Sequence, residues 1–387
     1  MRRFELKGIT WNHSRALPPL VATAQRFEEM NPNVRIHWDK RSLHDFGHAG
    51  LPELARQYHL LVVDHPMMGA AAAEGVLLDL RPLLNQGEWM DMADDSAGPS
   101  FTSYVYEDML LALPIDAAAP AASLRSDLLA DAGHSAPANW NELLELSRNG
   151  LVRMPGFPAD LFLNFMGLCI SRGGDIAMGS DSLFDRSIAI KALGELRELA
   201  SWMPDEIYDW NPITLYERMA SGDEFAYCPF AYTYSNYARA GFAAKRISFA
   251  DTVVLADGVP MRTVMGGTGL AISDSCVIPD IALKYALYVS GRSCQSTLYG
   301  VCGGQPARCS AWKSDELNRL TDGFFRRLLP NIERAYVRPR YDGYVSLQEE
   351  AGIPIIKYLR TGGNAGLALD DIDELFRASF ALRTRHA

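Results

Sequence analysis

Short apolar runs that alternate with helical segments open this chain, and no other feature restricts its fold as much. Phe4-Glu5-Leu6-Lys7-Gly8-Ile9-Thr10-Trp11 reads as a strand, Val34-Arg35-Ile36-His37-Trp38 as a second, and Leu60-Leu61-Val62-Val63-Asp64 as a third, buried one. Between the first two, after Pro18-Pro19, Leu20, Ala24 and Phe27 fall on one helical face, with Gln25, Glu28 and Glu29 turned outward. Proline loses nothing in a first helical turn, where its missing N–H has no partner anyway. Asn31-Pro32-Asn33 stops this helix. Strands and helices alternating at this spacing predict a parallel sheet with right-handed crossovers.

A fourth apolar segment, Met109-Leu110-Leu111-Ala112-Leu113-Pro114, runs up to Ile115-Asp116, and beyond it the texture turns mostly helical. Asn139 with Glu142 three positions on predicts a capping box that uses Asn. Asn211-Pro212 starts another helix, which Gly222 ends, and Asp280 starts a third, with Gly291 where a left-handed cap is wanted. Residues 224–228 and 269–272 are strand candidates. At 387 residues the chain exceeds one ordinary core, so two lobes are expected.

The formal net charge is −10 and no run of Lys or Arg stands out, which argues against nucleic acid as a partner. A local basic pocket for a small anion is compatible with that balance. No apolar run approaches the roughly 20 residues of a membrane-spanning helix. The start, Met1 to Gly8, is positive, but Glu5 and Lys7 interrupt any apolar stretch, so a cytoplasmic location is expected as the sequence stands. A periplasmic one would follow from a missing upstream segment.

The six cysteines form no C-x-x-C pair, so zinc-ribbon and thioredoxin-type readings fail; free, mostly buried thiols are expected, with one disulfide among Cys294, Cys302 and Cys309 left open. His44 and His48 have a spacing that metals use, yet Gly47 between them favours an exposed loop. Asp91, Asp94 and Asp95 read as a solvated turn. The glycines from Gly266 to Gly269 precede a strand instead of opening a helix, and no Walker A, G-x-S-x-G or H-E-x-x-H sequence occurs. Neither a metal nor a cofactor is expected.

Several segments, in order, carry a family resemblance. Tyr58 to Asp64 looks like a strand leading to a first cleft loop, Gly75 to Leu80 like a lobe-edge segment, and Leu111-Ala112-Leu113-Pro114-Ile115-Asp116 like a first hinge crossing. Pro137-Ala138-Asn139-Trp140-Asn141-Glu142-Leu143 is similar to a Pro-x-Thr-Trp-x-Glu-Leu helix start, Met219 to Ala226 to a turn into a cleft strand, and Gly266 to Ser273 to a Gly-Gly return crossing. Together they resemble the bacterial extracellular solute-binding proteins of the maltose-binding type, which feed ABC transporters. The resemblance implies an α/β, two-lobed periplasmic-binding-protein-like fold with a hinge and an inter-lobe cleft. By analogy one lobe holds residues 1–115 and 262–306, the other 117–258 and 310–387, with crossings near 116, 260 and 308. It also implies a monomer that is not an enzyme, with a carbohydrate or small polar or anionic metabolite as ligand and an ABC permease as partner.

In open α/β sheets, ligands sit beyond the carboxyl ends of strands, where helix N-termini and free N–H groups converge. That rule selects Trp11, Asn12, His13 and Arg15 after the first strand, Asp64 and His65 after the third, and Asp116 after the fourth segment. Trp11 suits stacking on a ring, and His13 and Arg15 suit an anionic group. From the second lobe, Phe230, Tyr232 and Tyr234 alternate after a strand and offer flat faces with polar tips. Gly267, Thr268, Gln305 and Arg340 complete the set. Two other readings stand beside ligand capture: an enzyme on the same scaffold using His13, His65 and Asp116 for acid–base chemistry, and an effector-binding sensory protein.

Overall fold

The computed structural model describes residues 3–42, 50–176 and 180–382. Phe4–Trp11 (β1), Val34–Arg41 (β2) and Leu60–Val63 (β3) form where the apolar runs lie, and β1 pairs in parallel with both neighbours. The helix between β1 and β2 spans Leu17–Met30 with proline in its first turn, and the Asn31 N–H closes it on the Phe27 and Glu28 carbonyls. Val105–Tyr106 (β4) and Met109–Leu110 (β5) make a short ribbon before Leu113–Ala118 (β6). Pro120–Leu124 (β7), Tyr227–Tyr232 (β8), Ser248–Ala250 (β9) and Gly266–Ile272 (β10) follow.

These strands build a five-stranded sheet in the order β2-β1-β3-β10-β6 and a three-stranded sheet in the order β8-β7-β9. The larger sheet is mixed, since β10 runs antiparallel to both β3 and β6. The expectation of a parallel sheet therefore holds for β1, β2 and β3 and fails at β10, which returns from the other half of the chain.

Buried apolar side chains gather in two clusters. Leu6, Ile9, Phe27, Val62 and Ile115 belong to the one around the larger sheet, and Ala122, Trp140, Phe162, Phe165 and Phe249 to the other. Apart from Ala97, which packs in the second cluster between Met92 and Phe101 of the first, the described residues pass between them three times. Ile115 and Ala117 of β6 lie in different clusters, as do Met265 and Leu270 around β10, and Tyr299 and Ala307. The result is a two-lobed α/β molecule. Gly267, at φ +107°, sits at the second passage, where a Cβ would come 2.2 Å from the Asp116 carbonyl oxygen. Only glycine lets β6 and β10 approach this closely. At Gly69 a Cβ would lie 2.0 Å from the Arg340 carbonyl oxygen, so glycine also lets the late segment around Arg340 seat on the helix Met68–Glu74 of the first half.

Several local expectations need correction. Asn139 and Asn211 do cap their helices, but Gly291 adopts φ −68°, ψ 145°, because the next helical turn begins at once and uses it as N-cap. The strand expected at 224–228 lies at Tyr227–Tyr232. Arg125 holds the chain before it in a turn, donating to the Met219 and Gly222 carbonyls and pairing with Asp223. Asp91, Asp94 and Asp95 are not a solvated turn. Asp91 and Asp94 belong to the helix Gln86–Asp94, Asp91 pairs with Arg292 and Arg308, and the buried Asp95 accepts from the Ser310 N–H and hydroxyl. The six cysteines are free, four of them buried. His44 and His48 lie outside the described residues. Among the described residues no helix is long and apolar enough to cross a membrane, and no group of His, Cys, Asp and Glu could hold a metal ion.

Candidate ligand-binding site

A cavity of about 410 Å³ opens between the two clusters. Trp11, Arg15 and Asp64 line it from the first half, and Ala118, Gly266, Gly267 and Thr268 from the crossings. Phe157, Asp160, Asn211, Tyr232, Tyr234, Arg338, Gln348 and Glu349 line it from the second half. Aromatic faces interleaved with a few directed polar groups are what a polar cyclic molecule needs. The Thr268 hydroxyl is buried without a hydrogen-bond partner among the described residues.

Arg15 ties the loop after β1 to both halves. Its Nε donates to Asp116 Oδ2 at 2.8 Å, its Nη2 to Asp116 Oδ1, and its Nη1 to the Thr233 carbonyl at 2.8 Å. The guanidinium also lies over the Tyr234 ring, 4.8 Å from its centre. Burial pushes the Asp116 carboxyl up, and Arg15 pulls it only partly back. Such a pair forms a brace, which engages Nε and one N–H of each terminal nitrogen.

Asp64 and Arg338 make the second brace, between the end of β3 and the late segment of the second half. Arg338 Nη2 donates to Asp64 Oδ1 at 2.8 Å and to Oδ2 at 2.7 Å, while Nε reaches the Met265 carbonyl and Nη1 the Gln348 side chain. Burial raises the Asp64 carboxyl, but the Arg338 charge and the contacts from His65 more than reverse this, holding it at about 2. Asp160 differs. It stands in the first turn of the helix Pro158–Ile170, accepts no hydrogen bond from any described residue, and burial lifts its carboxyl to about 7 against the weaker pull of Arg338.

The cavity thus brings together seven of the residues that strand-end reasoning selected: Trp11, Arg15, Asp64, Tyr232, Tyr234, Gly267 and Thr268. The other seven lie elsewhere. Asn12 is exposed to solvent. The His13 ring takes the Arg15 N–H on Nδ1 and packs edge-on against Tyr234, 4.7 Å between centres. His65 is fully buried against Tyr104 instead of sharing a rim with His13, because β3 ends in a tight helical turn that tucks the ring inward. Burial first, and the neighbouring arginines second, hold both imidazoles neutral, at about 4. Asp116 sits behind Arg15. Phe230 belongs to the second core, since it lies within β8 at a bulge between Cys228 and Ala231, not after a strand. Gln305 is buried, accepting from the Ser235 N–H and donating to the Ala117 carbonyl. Arg340 is taken up by the Thr102, Ser103 and Val105 carbonyls.

Two consequences follow. His13, His65 and Asp116 make no hydrogen bonds with one another among the described residues, so the acid–base grouping is not assembled. An anion site also lacks a free cation from this set, since Asp116 balances Arg15, Arg340 does not line the cavity, and burial holds the two imidazoles neutral. Strand-end reasoning missed Asp160, Asn211, Arg338, Gln348 and Glu349. Pro158 at a helix start, with an acid two residues on, was a legible signal for Asp160, and Arg338 lies two positions from the arginine that was chosen.

The family model described as bacterial extracellular solute-binding protein matches residues 22–322. No curated protein matches the chain significantly. Solved structures match over nearly the full length of both chains. A maltose-bound MalE3 from T. maritima is 18% identical, with 97% of this chain and 100% of that one covered and a TM-score of 0.83. An ABC transporter solute-binding protein from Agrobacterium radiobacter in complex with ribitol is 17% identical over 98% and 99%, with a TM-score of 0.80. The GacH receptor of Streptomyces glaucescens, solved unliganded and with acarbose, gives 17%, 98%, 99% and 0.80 for the same measures. At such identities the likeness establishes the two-lobed fold. The family model reaches further, and by it this chain belongs to the bacterial extracellular solute-binding proteins.

Proposed function

We propose that the chain reversibly captures a small sugar or polyol in the cleft, performs no chemistry on it, and delivers it to an ABC permease outside the cytoplasmic membrane. The observation that carries this reading is the cavity itself, walled by Trp11 from one half and by Tyr232 and Tyr234 from the other. A ligand touching both walls favours the closed arrangement of two hinged lobes over the open one. We place the hinge passages in β6 near Asp116, at the start of β10 and between residues 299 and 307. The relatives named above, bound to maltose, ribitol and acarbose, support the ligand class. The family's extracellular description supports the location.

A thermal-shift screen over sugars and polyols tests this. A ligand at 100 times its Kd is expected to add about 2.7 kcal/mol of apparent stability, and to be recovered chemically unchanged. Trp11→Ala is expected to weaken that ligand by about 10- to 100-fold through lost stacking area and, because Trp11 is only 4% exposed and packs in the first core, to cost about 3–5 kcal/mol of stability as well. Unaltered affinity in folded Trp11→Ala would remove the first wall from the site, and conversion of the ligand would refute capture without chemistry.

A further inference from the structure

We propose that the captured sugar or polyol carries a protonated amine, and that Asp160 is its counter-ion; this rests on the solute-binding reading above. The charges in the cavity lead there. Each guanidinium on the wall already has its own carboxylate, Arg15 with Asp116 and Arg338 with Asp64. Asp160 has no ion pair and no hydrogen bond to any described residue, and Glu349 adds another acid to the lining. Asp160 therefore lines the cavity as a carboxylate with no paired cation among the described residues. An anionic solute would meet a surplus of its own sign. A neutral hydroxyl would hydrogen-bond to Asp160 but would do nothing to favour its ionised form over the protonated one. An ammonium group does both, through charge-assisted hydrogen bonds to a carboxylate in a water-poor site.

The surroundings of Asp160 fit this assignment. Tyr232 and Tyr234 stand close enough to feel its charge, and guanidinium groups already lie over both rings, Arg338 over Tyr232 and Arg15 over Tyr234. Arg338 is the one cation that acts on it, and that guanidinium is committed to Asp64. The neighbouring helix Tyr344–Glu350 brings Gln348 and Glu349, and Gly352, seated against Pro158, brings no charge. The free N–H groups of the first turn favour the ionised carboxylate. Without a ligand, burial makes that carboxylate costly and raises it to about 7. A bound ammonium reverses the balance, so its binding drives the Asp160 proton off. The sign follows: affinity for an amine rises with pH up to about 7 as Asp160 ionises, and falls again once pH passes the amine's own pKa and the ammonium is lost.

Isothermal titration calorimetry on the full chain with matched pairs, glucosamine against glucose and galactosamine against galactose, tests the inference at pH 5.5 and 7.5. At pH 7.5 the amine of at least one pair is expected to bind tenfold or more tightly than its hydroxyl partner. Its affinity is expected to rise roughly tenfold from pH 5.5 to 7.5, the gain from Asp160 ionising reduced by the share of the amine that has begun to lose its proton. Asp160→Asn, checked for folding by circular dichroism, is expected to remove both the preference and the pH dependence. Hydroxyl sugars binding as tightly as their amines, or an amine preference that survives in folded Asp160→Asn, would overturn the counter-ion and leave solute capture standing. Failure of every pair to bind would count against the counter-ion and the sugar reading together.

Discussion

Arg15→Ala is expected to cost about 3–5 kcal/mol of folding stability. The reason is what it leaves behind. Asp116 is buried in β6, and without Arg15 its carboxylate would lose both of its side-chain hydrogen bonds in a place water does not reach. Breaking one side of a buried ion pair costs this much because the surviving charge goes uncompensated. The Thr233 carbonyl and the Tyr234 face lose their partner too. Arg15→Lys should recover only part of the loss, since an ammonium cannot reproduce the two-pronged contact with Asp116 while reaching Thr233. The pair Arg15→Ala with Asp116→Ala should lose clearly less than the two single losses added, because removing both charges removes the stranded one. Urea unfolding midpoints measure all three. A loss below about 1 kcal/mol in Arg15→Ala would show that this brace does not hold the halves.

Arg338→Ala is the second large expectation, with a pH signature of its own. The wild-type Asp64 carboxyl is held at about 2, below its ordinary value near 3.8, so the pair stabilises the fold above that ordinary value. That contribution is lost as pH falls toward 2, and the size of the shift corresponds to ~2 kcal/mol. Without Arg338 only the contacts from His65 still oppose burial at Asp64, next to Asp160 and Glu349 on the same wall. The variant is therefore expected to unfold at a higher pH during acid titration and to lose stability at pH 7 by about 3 kcal/mol. Ligand affinity should fall as well, since Arg338 joins the late segment of one half to the end of β3 in the other. Acid unfolding followed by near-ultraviolet circular dichroism distinguishes the cases. An Arg338→Ala curve that overlays the wild type would contradict the assigned role.

The larger sheet was legible because its first three strands announce themselves locally, as an alternating run, a second such run and an uninterrupted apolar one at Leu60–Val63. Their ends fixed the positions of Trp11, Arg15 and Asp64, and half of the cavity wall follows from them. Other features depend on contacts far apart in the chain. The antiparallel insertion of β10 between β3 and β6 is set by pairings such as Leu270 with Val62, more than 200 positions away. No periodicity distinguishes His65, turned into the core, from His13, packed on Tyr234. The bulge that buries Phe230 while Tyr232 lines the cavity breaks the simple alternation on which the three aromatics were grouped. Arg338 and Arg340 are alike in sequence, and only the fold shows that one faces Asp64 while the other is consumed by three carbonyls.

The account stands or falls on where the solute lies. A crystal structure of the chain grown with the tightest-binding sugar or amino sugar decides it. The expected result is density inside the cavity that contacts Trp11 on one side and Tyr232, Tyr234 and Asp160 on the other. Density seated elsewhere, or touching residues of one half alone, would contradict it.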